Sequence, residues 1–392
     1  MTPPTTPLMA AVAGPVPAGD PGTHTGTHTG TPLGRARSCL PRAVFLLPAG
    51  IAMLAGLDAA LMLLGLAAPV STRRLPDVHG MLMVLGFVGT LVSLERAVAL
   101  HRRAGFLAPA LLGAGGLLLL SPLSLTVART ALLLGAAALV GVYIPLWRRQ
   151  RDDAVLIQAL GAVLAAGAAT LWLGGVAMPS LLPWLAGFIV LTIAGERLEL
   201  ARLALGPSAG RTLVLLSCAV MAGVAASLLF PAPGTVLLGV ALMALVGWLG
   251  PHDVARRTIR TTGLTRFMAA GMLSGYVWLA VAAAIWLLGG PALSGARYDA
   301  VVHAVFLGFA ISMIMAHAPV ILPAVLRRPL PYHPLLLVPL VLLHLSLALR
   351  LWVGDALGVP AAWQVGGVLN IVALLLFVVL AAHSSMRRSR SS

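Results

Sequence analysis

The sequence contains no lysine, and only 9% of its 392 residues are charged. Aromatic residues make up 5% of the chain, and no basic helix with interleaved aromatics occurs, so the net charge of +15 does not indicate a nucleic-acid-binding protein. The two cysteines, Cys39 and Cys218, form no CxxC motif, which supports neither a disulfide framework nor a zinc site. The residues that dominate instead are apolar, at 59% of the chain.

Apolar runs of about twenty residues, long enough to cross a bilayer as helices, recur along almost the whole chain, and the mean hydropathy is +0.99. Helices satisfy their own backbone hydrogen bonds in hydrocarbon, and these runs are too long for barrel strands. The predicted fold class is therefore all-α, a polytopic membrane protein. Charged or Pro/Gly-rich breaks divide it into twelve transmembrane helices, at residues 43–68, 77–100, 104–121, 127–147, 153–175, 181–204, 211–230, 234–250, 264–289, 298–323, 333–353 and 361–383.

The arginines predict how these spans are oriented, because short cytoplasmic loops are enriched in them. With both termini in the cytoplasm, twenty of the 26 arginines lie on the cytoplasmic side, five lie on the outer side, and Arg96 lies within a span. Adding or removing one span would destroy this separation. We therefore predict a multi-pass protein of the plasma or inner membrane. Its parts are a disordered, Pro/Gly/Thr-rich cytoplasmic tail at 1–42, a membrane domain at 43–383 and a basic cytoplasmic tail at 384–392.

Three spans share a motif in which a Gly-Phe pair is followed, nine residues after the glycine, by an ionisable residue. The three segments are 86-GFVGTLVSLE-95, 187-GFIVLTIAGE-196 and 308-GFAISMIMAH-317, and they lie four spans apart. This spacing predicts three four-helix arcs, with the second, sixth and tenth spans in equivalent positions. The alternative is coincidence in a glycine-rich chain, since a fourth pair, Gly105-Phe106, does not join the pattern.

Histidines inside spans are costly and are by default functional hypotheses. His79 and His303 lie at similar depth, near the outer ends of the second and tenth spans. At about 100° per residue they point in different directions from the shared glycine, as a ligand held between neighbouring helices requires. Such a pair can supply both axial ligands of a six-coordinate haem. The alternative for each histidine is a buried ring that bonds to a neighbouring carbonyl.

The motif residues Glu95, Glu196 and His317 fall in the predicted cytoplasmic half. His317 lies about 21 Å along the helix from His303 and cannot bind the same iron. A proton path, a second site or a structural pairing of His317 with Glu95 or Glu196 remain open. Both glutamates precede an arginine, and the simplest account is an arginine that reaches the membrane surface while the glutamate pairs with a basic neighbour. His344 has no partner that the sequence identifies and is predicted as a core residue.

These features resemble the haem-copper oxidase subunit I-like superfamily. The resemblance rests on twelve helices with both ends inside, three four-helix arcs, and the second-span motif 79-HGMLM-83, which is similar to a His-Gly-x-x-Met run in that family. It implies that His79 and a partner on the tenth helix, His303, are ligands of a low-spin haem. The copper-site histidines are missing, because 181–200 and 211–230 contain none and 301-VVHAVFLG-308 has only one. A closer comparison is the NnrS-like branch, which is associated with nitric oxide stress.

The sequence therefore predicts an integral membrane protein with a b-type haem near the outer face, for electron transfer or for handling nitric oxide or another diatomic gas. Copper is not predicted. Expected partners are membrane lipid and an electron-donor protein, with no nucleic acid, and whether the chain is an enzyme stays open. Two other functions remain: a transporter, which is expected to have broken helices and inverted repeats, and a cofactor-free assembly factor.

Overall fold

The computed structural model describes residues 42–201, 206, 208–326 and 330–389. Within these ranges it contains no strand and twelve helices that are long and apolar enough to cross a membrane, which confirms the predicted all-α polytopic fold. The helices are α1 Leu46–Leu63, α2 Leu75–Leu100, α3 Arg103–Leu120, α4 Leu125–Gln150, α5 Asp153–Leu173, α6 Met178–Leu200, α7 Ala209–Leu229, α8 Pro231–His252, α9 Gly263–Gly289, α10 Gly295–Pro323, α11 Pro334–Ala356 and α12 Pro360–Ser385.

Two predicted segments at the ends of the chain lie partly outside the described residues. The predicted disordered tail at 1–42 is outside them except for Arg42, which begins a short 3-10 turn. The predicted C-terminal tail begins at 384, but the last helix continues to Ser389. The apolar stretch and the basic residues after it therefore share one helix in the described part of the chain.

Local sequence explains where several helices begin and end. The Asp152 carboxylate accepts a hydrogen bond from the Ala154 amide and so caps the start of α5. His101 and Arg151, which end α2 and α4, adopt left-handed backbone conformations with φ of 58° and 46°. Gly290, at φ 65°, ends α9, where a residue without Cβ meets little strain. These short connections keep consecutive helices adjacent.

Consecutive helices pack against each other around the bundle, and α1 also contacts α12, which closes the ring. The first helix of each predicted arc also packs against the third, as α1 does on α3, α5 on α7 and α9 on α11. Three helices occupy the inside: 72% of the apolar window of α2 is buried, 78% of that of α6 and 67% of that of α10, against 33–56% for the other nine. The three spans that carry the Gly-Phe motif are thus the three inner helices.

The shared glycine is a point of close helix approach. A Cβ on Gly86 would lie 3.2 Å from the Gly116 backbone of α3, and one on Gly308 would lie 2.3 Å from the Trp278 side chain of α9. A Cβ at Gly308 would force Trp278 to move, and one at Gly86 would require the α3 backbone to give way by a few tenths of an ångström. The motif therefore marks a packing requirement of the inner helices.

Segments of π-helix interrupt α2, α10 and α11. They span Leu82–Gly89, Ala304–Ile311 and Leu349–Ala356, whereas α6 is α-helical throughout. In α2 and α10 the π segment begins at the same offset before the shared glycine, directly after the turn that carries His79 or His303. Because α2 and α10 are not unbroken α-helices, the directions predicted for His79 and His303 at about 100° per residue do not apply. π-helical segments within α-helices are frequent at functional sites.

Candidate functional site

A cavity of about 520 Å³ lies in the predicted outer half of the bundle, and both His79 and His303 line it. Its volume is within the range of about 300–1,000 Å³ that small-molecule sites occupy. The walls come from α1, α2, α6, α10, α11 and α12, and much of the lining is apolar, including Leu57, Met83 and Phe306. The structure thus brings together the two histidines that were predicted as a pair.

The two imidazoles are held in the same way. The Nδ1 atom of His79 lies 3.0 Å from the Gly56 carbonyl oxygen of α1, and that of His303 lies 2.8 Å from the Asp299 carbonyl oxygen one turn earlier. A carbonyl only accepts, so each Nδ1 carries the proton and donates it. The Nε2 atom of each ring makes no hydrogen bond with the residues that the structure describes. Each ring therefore keeps one nitrogen lone pair free beside the cavity.

An ion pair that sequence reading missed lies at the same cavity. Arg350 of α11 donates two hydrogen bonds to the Asp299 carboxylate, at 2.8 and 2.7 Å, and its guanidinium lies 5.1 Å from the Trp363 ring. The Asp299 carboxylate also lies 3.2 Å from His303 Nδ1. Arg350 is one of the five arginines predicted to lie on the outer side, yet it is buried in the cavity wall. A lone arginine within an apolar span was the available signal.

His317, in the predicted cytoplasmic half, is paired with an arginine and not with a glutamate. Its Nε2 lies 3.1 Å from the Arg197 Nη1 and accepts a hydrogen bond from it, while its Nδ1 donates to the Met313 carbonyl at 2.7 Å. The predicted pairing with Glu95 or Glu196 is therefore replaced by one with Arg197. Because both ring nitrogens are already used, His317 is a structural ring in this arrangement.

Arg197 belongs to a buried cluster that links three helices. Its guanidinium forms two hydrogen bonds of 2.9 Å to Asp253, just beyond α8, and Tyr276 of α9 donates to the same carboxylate at 2.6 Å. Burial raises a carboxyl pKa, but the Arg197 hydrogen bonds and charge outweigh it and hold the pKa of Asp253 below its usual value. The arginine after Glu196 therefore pairs inside the protein.

Arg96 occupies the equivalent place on α2. It pairs with its neighbour Glu95, donates at 3.0 Å to Gln158 of α5, and donates at 3.1 Å to Glu199 of α6. Its side chain is 8% exposed, so it is buried and does not extend to the membrane surface as the simplest account expected. Both motif arginines thus connect one predicted arc to the next.

Glu95, Glu196 and His317 come together at one place. All three line a second cavity, of about 290 Å³, between the inner helices and α1 and α12. Glu196 makes no hydrogen bond or ion pair with any residue in the described ranges, although it lies near the charges of Glu95 and Arg96. The Gly-Phe motif therefore identified three side chains that line the same cavity.

His344 is the remaining histidine within a span. Its Nδ1 accepts a hydrogen bond from the Trp278 indole at 2.9 Å, and its Nε2 lies 3.4 Å from the Ser312 hydroxyl. These contacts join α11 to α9 and α10. His344 is thus a packing residue with partners that the sequence had not identified.

A family model described as a domain of unknown function (DUF8744) matches residues 42–386. No curated protein and no solved structure matches the chain. The family match covers all twelve helices and both cavities.

Proposed function

This chain belongs to the DUF8744 family, a domain of unknown function, and we propose that it is an integral membrane protein that binds one b-type haem between His79 and His303 and transfers electrons through it. The observation that carries the proposal is the matched pair of histidines on one cavity, each with Nδ1 on a carbonyl and Nε2 free. Histidines that bind metals almost always donate their other ring proton to a carbonyl or carboxylate.

The donor set fits a haem better than a bare metal ion. No group of three or more His, Cys, Asp or Glu side chains within the described ranges is placed to hold an ion. A porphyrin brings four equatorial nitrogens of its own, so two axial histidines complete six-coordinate iron. The sequence also offers no histidine in 181–200 or 211–230 for a copper site. Copper is therefore left out of the proposal.

The surrounding residues have separate tasks in this proposal. Asp299 fixes the orientation of His303 through its carbonyl and its carboxylate. Arg350, whose guanidinium lies over the Trp363 ring in the cavity wall, would supply a cation for the haem propionates. Met83 and Phe306 supply apolar surface that excludes water. When bound, the haem would supply a one-electron couple, whose reduction potential the two histidines and the surrounding side chains would tune.

Electron transfer is preferred over gas handling because His79 and His303 would together hold the haem iron and would leave no open position for a gas. A gas would have to displace His79 or His303, and each ring is anchored through Nδ1 to the backbone. Addition of carbon monoxide to the reduced protein distinguishes the two functions. We expect an unchanged spectrum, whereas a shift of the Soret band would favour the diatomic gas function.

The test is the absorption and electron paramagnetic resonance spectrum of the purified protein and its variants. We expect a low-spin haem in the wild type, and loss of haem or conversion to a high-spin form in His79→Ala and in His303→Ala. His344→Ala, half-buried but off the cavity, and His252→Ala, at an exposed helix end, are matched controls that keep the wild-type spectrum. His79→Gly with added imidazole should regain the low-spin signal. The proposal fails if neither cavity histidine alters the spectrum.

A further inference from the structure

The two junctions between successive arcs that carry a motif arginine are sealed by polar contacts. Arg96 of the first arc reaches Gln158 and Glu199 of the second. Arg197 of the second arc reaches His317 of the third, and through Asp253 it is linked to Tyr276. The equivalent position on α10 is Ala318, one residue after His317. The junction between the third and first arcs therefore has no such arginine.

A cavity occupies this third junction. Ala318 lines it from α10, Gly50 and Met53 line it from α1, and Val378 of α12, which is 41% exposed, lies at its edge. A Cβ added to Gly50 would meet no atom within 4 Å, so the space extends up to the α1 backbone. Arg42 donates to the Val325 carbonyl at 3.4 Å across the predicted cytoplasmic rim. Access is therefore from the lipid side between α1, α10 and α12.

The charge around the cavity is unbalanced. Glu95 and Glu196 line it, and Glu199 lies behind them on Arg96. Arg96 pairs with Glu95 and with the 41% exposed Glu199, and Arg197 pairs with Asp253, so neither arginine is left as a direct partner for Glu196. Glu196 has no hydrogen-bonding partner in the part of the chain that the structure describes, and an unpaired carboxylate in an apolar site is costly unless a proton or cation joins it.

We propose that this central cavity binds a lipophilic organic cation, with a protonated amine at Glu196 and an apolar body between α1, α10 and α12. Apart from Glu95, Glu196, His317 and Thr192, the lining is apolar, which suits a hydrocarbon body. Because the charge around the cavity is negative, the site favours a cation over a fatty acid of the same shape. Binding here is independent of the haem proposal, because the two cavities share only Leu374.

The experiment compares three probes with the same chain: octylamine, octanol and octanoate. The full chain is placed in phosphatidylcholine nanodiscs, and empty nanodiscs correct for partitioning into lipid. Titration calorimetry should show saturable binding of octylamine, with octanol and octanoate at least about tenfold weaker, since a charge-assisted contact is lost. Equal binding of octanol, or tighter binding of octanoate, overturns the assignment of a cation, and no saturable binding overturns the site.

Two variants locate the bound amine. Glu196→Gln should weaken octylamine at least about tenfold, because it removes the charge and keeps the shape. Gly50→Leu should abolish binding by filling the cavity, whereas Gly247→Leu, on α8 and also facing open space, should leave binding unchanged. Unchanged affinity in both Glu196→Gln and Gly50→Leu overturns the proposal. The Soret band should not move during the titration. A shift would place the amine at the haem and would overturn the proposal.

Discussion

Replacing Asp253 with alanine removes the carboxylate on which one arc junction depends. Asp253 accepts two hydrogen bonds from Arg197 and one from Tyr276, and both Asp253 and Arg197 are at most 5% exposed. Among the described residues, the variant leaves the buried guanidinium with His317 as its one remaining partner. Losing one member of a buried ion pair typically costs about 3–5 kcal/mol, because the other charge remains buried and unpaired.

The assay is equilibrium unfolding in detergent micelles, with Asp77→Ala at an exposed position as the matched control. We expect Asp253→Ala to lower the free energy of unfolding by about 3 kcal/mol or more and the control by less than about 0.5 kcal/mol. The double variant Arg197→Met with Asp253→Leu should recover most of the loss, because apolar replacements of a whole buried pair are often neutral. A cost below about 1 kcal/mol for Asp253→Ala, or no recovery in the double variant, refutes the reasoning.

Three further predictions follow from the same contacts. The pKa of Asp253 is held below its unfolded value of about 3.9. The stability that Asp253 contributes is therefore fully present above that value and is lost as the pH falls through the lower folded pKa. The free energy of unfolding, measured as the pH is lowered, should show this loss in the wild type and not in Asp253→Asn. Asp299→Ala keeps the backbone carbonyl that His303 donates to, but it removes the carboxylate 3.2 Å from His303 Nδ1 and leaves Arg350 without its two hydrogen bonds. Haem retention in a competition with apomyoglobin should therefore fall at least about tenfold, while retention equal to wild type would remove the Asp299 carboxylate from the site. Gly308→Val should destabilise the fold by about 2 kcal/mol or more through its clash with Trp278, measured by thermal unfolding against Gly247→Val, and equal values would exclude a close approach.

The helices were predictable because hydropathy is summed over whole spans. Twelve apolar runs and the alternating arginines were enough to place the spans within a few residues of the observed helices. The Gly-Phe motif likewise pointed to the three inner helices, since its glycines meet a spatial requirement that a neighbouring helix imposes. Both signals come from residues that are close together along the chain, so a single sequence is enough to detect them.

The polar pairings were not predictable in the same way. Arg197 and Asp253 are 56 residues apart, and Arg350 and Asp299 are 51 apart, so nothing local couples them. The prediction that arginines reach the membrane surface was wrong for Arg96, which is 8% exposed beside Gln158 and Glu199. The π segments were also missed, because they depend on how α2 and α10 pack and not on residue type alone. The cavity that His79 and His303 both line is formed by this helix packing.

The central claim is that His79 and His303 bind one haem between them. The most direct measurement is the ratio of haem b to protein, determined from the pyridine haemochrome spectrum, in the wild type and in the double variant His79→Ala with His303→Ala. We expect a ratio of about one in the wild type and near zero in the double variant, with two axial donors lost. Wild-type protein without haem, or a double variant that keeps the full ratio, would contradict the claim.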